Sequence, residues 1–97
     1  MDLQFEWDEQ KANLNLKKHG INFEDAKAVF VDPLAYIFDD EWHSMGEKRE
    51  IIIGHNLKNY LLLVSFTERA NKIRIISARL VTKKERKDYE EYRGCQP

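Results

Sequence analysis

Two arginines interrupt a run that otherwise reads as the interior of a sheet: in "IRIISARLVTKKERKDYEEY", residues 73–92, Arg74 and Arg79 sit among β-branched and apolar neighbours. A guanidinium keeps its charge in a protein, so burying it without an anion is costly, whereas displaying it on a sheet face creates an anion site. The two lie five apart, which sends them to opposite faces of a regular strand and to one site only if a bulge or the strand's end intervenes. Arg79 stands just before a predicted helix start, where unpaired backbone amides also favour an anion, and is the stronger phosphate candidate. The competing expectation for it is an ion pair with Glu68 or Glu85. Arg69, Lys72, Lys83, Lys84, Arg86 and Lys87 complete the cationic group, with Arg49 on a nearby strand.

Proton transfer needs a group that titrates near neutrality, and the chain has His19, His43 and His55. Asp39, His43 and Glu47 would share a face if their segment were helical, but the spacing matches none of the specific metal motifs, and proton transfer is the better reading of His43. His19 follows Lys17 and Lys18 at a predicted helix C-terminus, where the helix dipole accounts for it. There is no Gly-rich phosphate loop and no G-x-S-x-G, and the single cysteine, Cys95, excludes an internal disulfide and a Cys-based zinc cage. Nucleotide hydrolysis and acyl transfer therefore lack support. A basic surface with aromatic side chains and scattered proton-transfer groups fits RNA. Cleaving a strand through its own 2′-hydroxyl needs a base, a cation over the crowded phosphate and an acid for the leaving oxygen, with no metal or other cofactor.

Such groups need a scaffold. Leu3, Phe5 and Trp7 alternate as in a short strand. Asp8 offers an N-cap to a helix that Gly20 can end, and Asn22 caps a second helix stopped by Pro33. Four strands follow, at 34–38, 49–55, 60–67 and 72–81, joined in sequence by antiparallel pairing. Thr82 and Glu85 form a capping box that opens a last helix running to about Tyr92. The fold class is α+β, an antiparallel sheet with helices packed on it in the order β-α-α-β-β-β-β-α. Because the middle strands are apolar on consecutive residues, the sheet must be covered on both faces: two helices cover one, and the last helix either lies over part of the other or detaches to expose it as a partner surface.

Length and charge set the outer limits. Ninety-seven residues fit one domain, residues 1–97, with 93–97 as a flexible tail. The longest apolar run is too short to span a bilayer and the acidic N-terminus does not read as a secretory signal, so no membrane is involved and the cytoplasm is the expected location. The net charge of −1 conceals a division: the first 47 residues carry 4 Lys/Arg against 11 Asp/Glu, the last 50 carry 12 against 6. The basic half either gathers a polyanion or pairs with the acidic half in the fold.

The whole chain resembles the BrnT family, ribonuclease toxins of type II toxin-antitoxin systems with a RelE-like fold. The resemblance is carried by "FEWDEQKANLNLKKHGINFEDAKAVFVDP" (5–33), "DDEWHSMGEKR" (39–49), "IIIG" (51–54) and "TERANKIRIISARLVTKKERKDYEEY" (67–92). It implies an endoribonuclease that arrests growth by cutting RNA and is neutralised by a cognate BrnA-like antitoxin with a ribbon-helix-helix domain, in a 2:2 complex that meets operator DNA only through the antitoxin. Carried over by position, the site residues it implies are His43, Glu47, Arg49, Arg79 and Tyr89, with Lys18, His19, Arg74, Lys83, Lys84, Arg86 and Lys87 on the RNA. Glu47 or His43 would take the 2′-hydroxyl proton, Arg49 and Arg79 would steady the phosphorane, and Tyr89 would position the strand or donate a proton. The other function class open to this surface is a noncatalytic module that docks a helical partner on its sheet face.

Overall fold

Cap chemistry places the first helices where their sequences predict. A computed structural model describes residues 3–94. After a short strand β1 (Phe5–Glu6), the Asp8 carboxylate accepts from the amides of Gln10 and Lys11 and opens α1 (Glu9–His19), which Gly20 ends at φ 73°. Asn22 accepts from the Asp25 amide at 2.8 Å and opens α2 (Phe23–Ala26), which tightens into a 3-10 turn (Lys27–Val31) before Pro33. The second predicted helix is thus half α and half 3-10.

Asp32 then draws the chain into a turn, its carboxylate accepting from the Leu34 amide and its carbonyl from the Ala35 amide. For that reason β2 (Tyr36–Asp39) starts two residues later than the predicted 34. It is followed by a 3-10 turn (Glu41–His43), β3 (Glu50–His55), β4 (Leu61–Arg69), β5 (Lys72–Leu80) and α3 (Lys83–Gly94). Residues 93 and 94, predicted as tail, continue α3, while Cys95 and the rest of that tail lie outside the described residues. Among the described residues no helix is long and apolar enough to cross a membrane.

The sheet order is β1-β5-β4-β3-β2. β2 to β5 pair antiparallel in sequence, as predicted, whereas β1 joins the far edge parallel to β5, with Phe5 opposite Ile73 and Glu6 opposite Arg74. The β4–β5 hairpin turns on Ala70 and Asn71, both at positive φ, the conformation that matches the strands' twist. Past β1, the outer edge of β5 is closed by a side chain: Asn15 of α1 donates to the Ala78 carbonyl at 2.8 Å and accepts from its amide at 3.1 Å.

Each face carries its own core. On one, Phe23, Ala26 and Val29 pack on Ile52, Leu62, Val64, Phe66, Ile75 and Ala78. On the other, Tyr89 of α3 packs with Ile53, Leu61 and Leu63. This double cover explains the consecutive buried residues Leu61, Leu62, Leu63 and Val64 in β4. Gly54 lets β3 approach the 3-10 turn closely, since a Cβ there would stand 3.0 Å from Ala35 Cβ and 3.1 Å from Val29 Cγ1.

Candidate functional site

The site begins with one extra residue. Along β4 and β5, Ser65 pairs with Ser77 and Phe66 with Ile75, so Ile76 has no opposite number. That bulge reverses the alternation between the two arginines. Arg74, opposite Thr67, and Arg79, opposite Leu63, consequently share the face that carries α3. α3 covers only the end of this face where β5 finishes and β2 begins, through Tyr89 and through Tyr92 against Tyr36 at a ring-centroid distance of 3.7 Å. The other end, around Ser65, Ser77 and Arg74, lies beside the loop of residues 40–49.

That loop is a hydrogen-bonded unit. The Asp40 amide donates to the Arg49 carbonyl at 2.9 Å, the His43 amide to the Asp40 carbonyl at 3.3 Å, and Ser44 Oγ donates to the Asp40 carbonyl while accepting from the Arg49 amide at 3.0 Å. Thr67 Oγ1 of β4 fixes it from the side by donating to the Lys48 carbonyl. Within it the His43 ring leans on the nearly buried Asp40 carboxylate, Nδ1 lying 3.1 and 3.0 Å from the two oxygens, and the His43 side chain is 67% exposed. A carboxylate on Nδ1 holds the neutral ring in the tautomer that leaves Nε2 able to accept a proton. The position of Asp40 three residues before His43 is the sequence signal for a ring partner.

Glu47 is also at this end, but occupied. Arg69 donates to both of its oxygens, from Nε at 2.6 Å and from a terminal nitrogen at 3.0 Å. That hydrogen bond holds the Glu47 carboxyl below its ordinary range, against some desolvation, and the charges of Arg69, Arg74 and Arg49 lower it further. Arg74 pairs with Glu6 of β1 at 3.0 Å. Among the described residues the Arg49 guanidinium has no carboxylate within salt-bridge distance. His43, Glu47, Arg49 and Arg74 are therefore gathered at one end of the face. The imagined trio of Asp39, His43 and Glu47 is not, because Asp39 goes to Lys48, His43 to Asp40 and Glu47 to Arg69. Among the described residues no three His, Cys, Asp or Glu side chains converge to hold a metal.

The remaining predicted positions lie elsewhere. Of the two expectations for Arg79, the structure forms the ion pair: its terminal nitrogens donate to the two Glu85 oxygens at 2.7 and 2.8 Å. The hydrogen bond from Arg79 pulls the Glu85 carboxyl down to about 2, against the effect of burial, and Glu85 also completes the capping box with Thr82. Arg79 stands about 16 Å along β5 from Arg74 at the usual strand rise. Tyr89, predicted to meet RNA, is 3% exposed and its hydroxyl donates to the Leu34 carbonyl at 2.9 Å, because α3 turns that side chain into the second core. Lys83, Lys84, Arg86 and Lys87 are exposed on α3, and Lys18 and His19 occupy the last turn of α1 beyond the edge of β5. The expected single cationic group is thus split between the two ends of the molecule.

A second Asp/His pair escaped the sequence reading. At the far end of β3 the His55 amide donates to Asp32 at 2.8 Å and its Nδ1 lies 3.3 Å from the same oxygen, with the ring edge-on to Tyr89. Burial pushes the Asp32 carboxyl up, but the amides of His55 and Leu34 together with the His55 ring outweigh it and leave it lowered.

Comparison with known proteins places this architecture. A search of curated proteins finds no match. Among solved structures, the ribonuclease toxin BrnT of Brucella abortus superposes with a TM-score of 0.67 at 24% identity, covering 84% of this chain and all of that one, which establishes a shared fold. The family model described as "Ribonuclease toxin, BrnT, of type II toxin-antitoxin system" matches residues 7–85, a span holding every strand from β2 to β5 and the whole 40–49 loop. The chain belongs to the BrnT family of ribonuclease toxins.

Proposed function

We propose that this toxin cleaves RNA at the open end of the α3-bearing face, with His43 as the base and Arg49 as the phosphate ligand. The observation that carries the reading is the 40–49 loop, a hydrogen-bonded unit that holds the His43 ring on Asp40 and ties down the main chain of Arg49, whose guanidinium has no carboxylate partner among the described residues. Of the two candidate bases, His43 is favoured over Glu47, since both Glu47 oxygens already accept from Arg69 and a carboxylate so paired is a weak base. In the reaction, Nε2 of His43 takes the proton of a 2′-hydroxyl. The 2′-oxygen bonds to the adjacent phosphorus, the bond to the 5′-oxygen breaks, and that oxygen leaves with a proton from water. Arg49 balances the charge that grows on the phosphorane. A 2′-hydroxyl nucleophile removes the need for a metal-bound hydroxide.

The polar character of this surface supports RNA over a docked helix. Tyr89 fills part of the apolar area, beside which Tyr36, Phe38, Ile53 and Leu63 line a pocket, whereas the end next to the 40–49 loop presents Ser65, Ser77 and Arg74. As a type II toxin the protein is paired with an antitoxin; we assign a BrnA-like ribbon-helix-helix partner in a 2:2 complex, through which operator DNA is contacted. The deciding experiment incubates the purified protein with total RNA in excess chelator. Fragments ending in 2′,3′-cyclic phosphate are expected. Binding without cleavage would instead establish the noncatalytic reading, and chelator-sensitive cleavage a metal-dependent one.

A further inference from the structure

The most solvent-exposed aromatic side chain among the described residues stands next to His43. Trp42 is 92% exposed, whereas Tyr60 at 53% sits in the distant β3–β4 turn and Tyr92 at 40% stacks on Tyr36. Its 3-10 turn is held at both ends, by the Asp40 amide to the Arg49 carbonyl and by Ser44 to the Arg49 amide, so the indole is presented from a fixed backbone. Trp7, by contrast, packs against the core and bonds through its ring nitrogen to Glu9.

Attack by a 2′-oxygen requires that it, the phosphorus and the departing 5′-oxygen come into line. Stacked A-form geometry does not supply that alignment, so the nucleotides flanking the broken bond must be splayed apart. A base taken out of its stack needs a new surface, and proteins that read single-stranded RNA supply aromatic faces for this purpose.

We infer that Trp42 is a stacking platform for an unpaired nucleobase flanking the scissile phosphate, which makes single-stranded RNA the substrate class. The inference rests on the proposal that His43 and Arg49 act on RNA. It adds a subsite that neither the phosphate ligand nor the base requires. The loop that carries Trp42 also carries Arg49, the proposed phosphate ligand, together with the carboxylates of Glu41 and Glu47.

The test uses the intact protein labelled with 5-fluorotryptophan, in which the Trp42 fluorine signal is assigned by its loss in Trp42→Phe. The probe is a short oligoribonucleotide made uncleavable by 2′-O-methylation, with a version lacking the bases as control. The Trp42 signal should shift with the base-bearing strand, leave the Trp7 signal in place, and stay still with the abasic one. Trp42→Ala should lower kcat/KM on single-stranded RNA about 10- to 100-fold, mostly through KM, with Trp42→Tyr restoring most of it. An unmoved Trp42 signal, or full activity in Trp42→Ala, overturns the assignment. So does a shift produced by the antitoxin but not by RNA, which would give Trp42 to the protein interface. If the wild type binds the strand with this shift yet cleaves no RNA, the subsite stands and the catalytic proposal fails.

Discussion

β3 carries an Asp/His pair at each end, and the two do different work. At the far end, one Asp32 oxygen accepts from the His55 amide and ring while the other accepts from the Leu34 amide, and the His55 side chain is 28% exposed. At the near end, both Asp40 oxygens face a single imidazole nitrogen, and that imidazole is 67% exposed. The first carboxylate holds backbone and would keep two partners if its histidine were lost. Among the described residues the second holds only a ring. Residue identity alone does not separate a structural pair from a chemical one; the number of main-chain donors on the carboxylate does.

The sharpest way to break this comparison is to remove each histidine. His43→Ala should reduce RNA cleavage about 100- to 10,000-fold, the usual range for losing a general base, far more than the modest loss of stability from leaving the nearly buried Asp40 carboxylate without its ring partner. His55→Ala should leave the cleavage rate of the folded fraction unchanged and lower stability by no more than about 1 kcal/mol, since Asp32 keeps both backbone amides. If both variants lose activity at full stability, the distinction is wrong.

The carboxylates give the next largest effect. Asp32→Asn weakens hydrogen bonds to two backbone amides and should destabilise the protein by about 2 kcal/mol in a urea titration. Asp40→Asn should leave the urea midpoint close to wild type, lower cleavage roughly tenfold, and change the proton distribution of the His43 ring seen by nitrogen NMR.

Acid titration draws on both ends, since Arg69 depresses Glu47 at the near end as other partners depress Glu85 and Asp32 at the far one. The Glu85 and Asp32 carboxyls, both at the far end, are depressed relative to ordinary values of 4.5 and 3.8, Glu85 to about 2. Depressed carboxyls stabilise the fold fully above their unfolded values and lose that contribution as pH falls through the folded ones. Stability should therefore decline between pH 4.5 and 2, by roughly 1–2 kcal/mol from Glu85 once its partial exposure is allowed for. Glu85→Gln should be less stable at neutral pH and show a shallower acid limb in thermal melts.

The smallest effects are at the glycines. Gly54→Ala brings a methyl within 3.0–3.2 Å of Ala35, Val29 and Asp32 and should cost about 1–2 kcal/mol of stability. Gly46→Ala meets open space but keeps φ near +80°, so a loss of about 1 kcal/mol is expected from strain alone.

Local chemistry was readable without coordinates. Asp8, Gly20, Asn22 and the Thr82/Glu85 box act within a few residues of themselves, so their spacing determines their partners. Long-range partners were not. Glu47 finds Arg69 across 22 residues and Arg74 finds Glu6 across 68, pairings set by strand register, which side-chain type does not encode. The bulge at Ile76 belongs with them: two consecutive isoleucines, Ile75 and Ile76, can sit in a regular strand or a bulged one, and only the register on β4 decides which. Tyr89 was misplaced because α3 offers tyrosines at two positions and only one faces the second core.

The Asn15 amide on Ala78 bears on how this molecule behaves in a crowd. A strand margin with bare amides and carbonyls invites neighbouring chains to zip on, and here a side chain stands in for the missing strand where β1 runs out. Growth of the sheet by self-addition is blocked on that flank, so two copies cannot propagate into a ribbon through it.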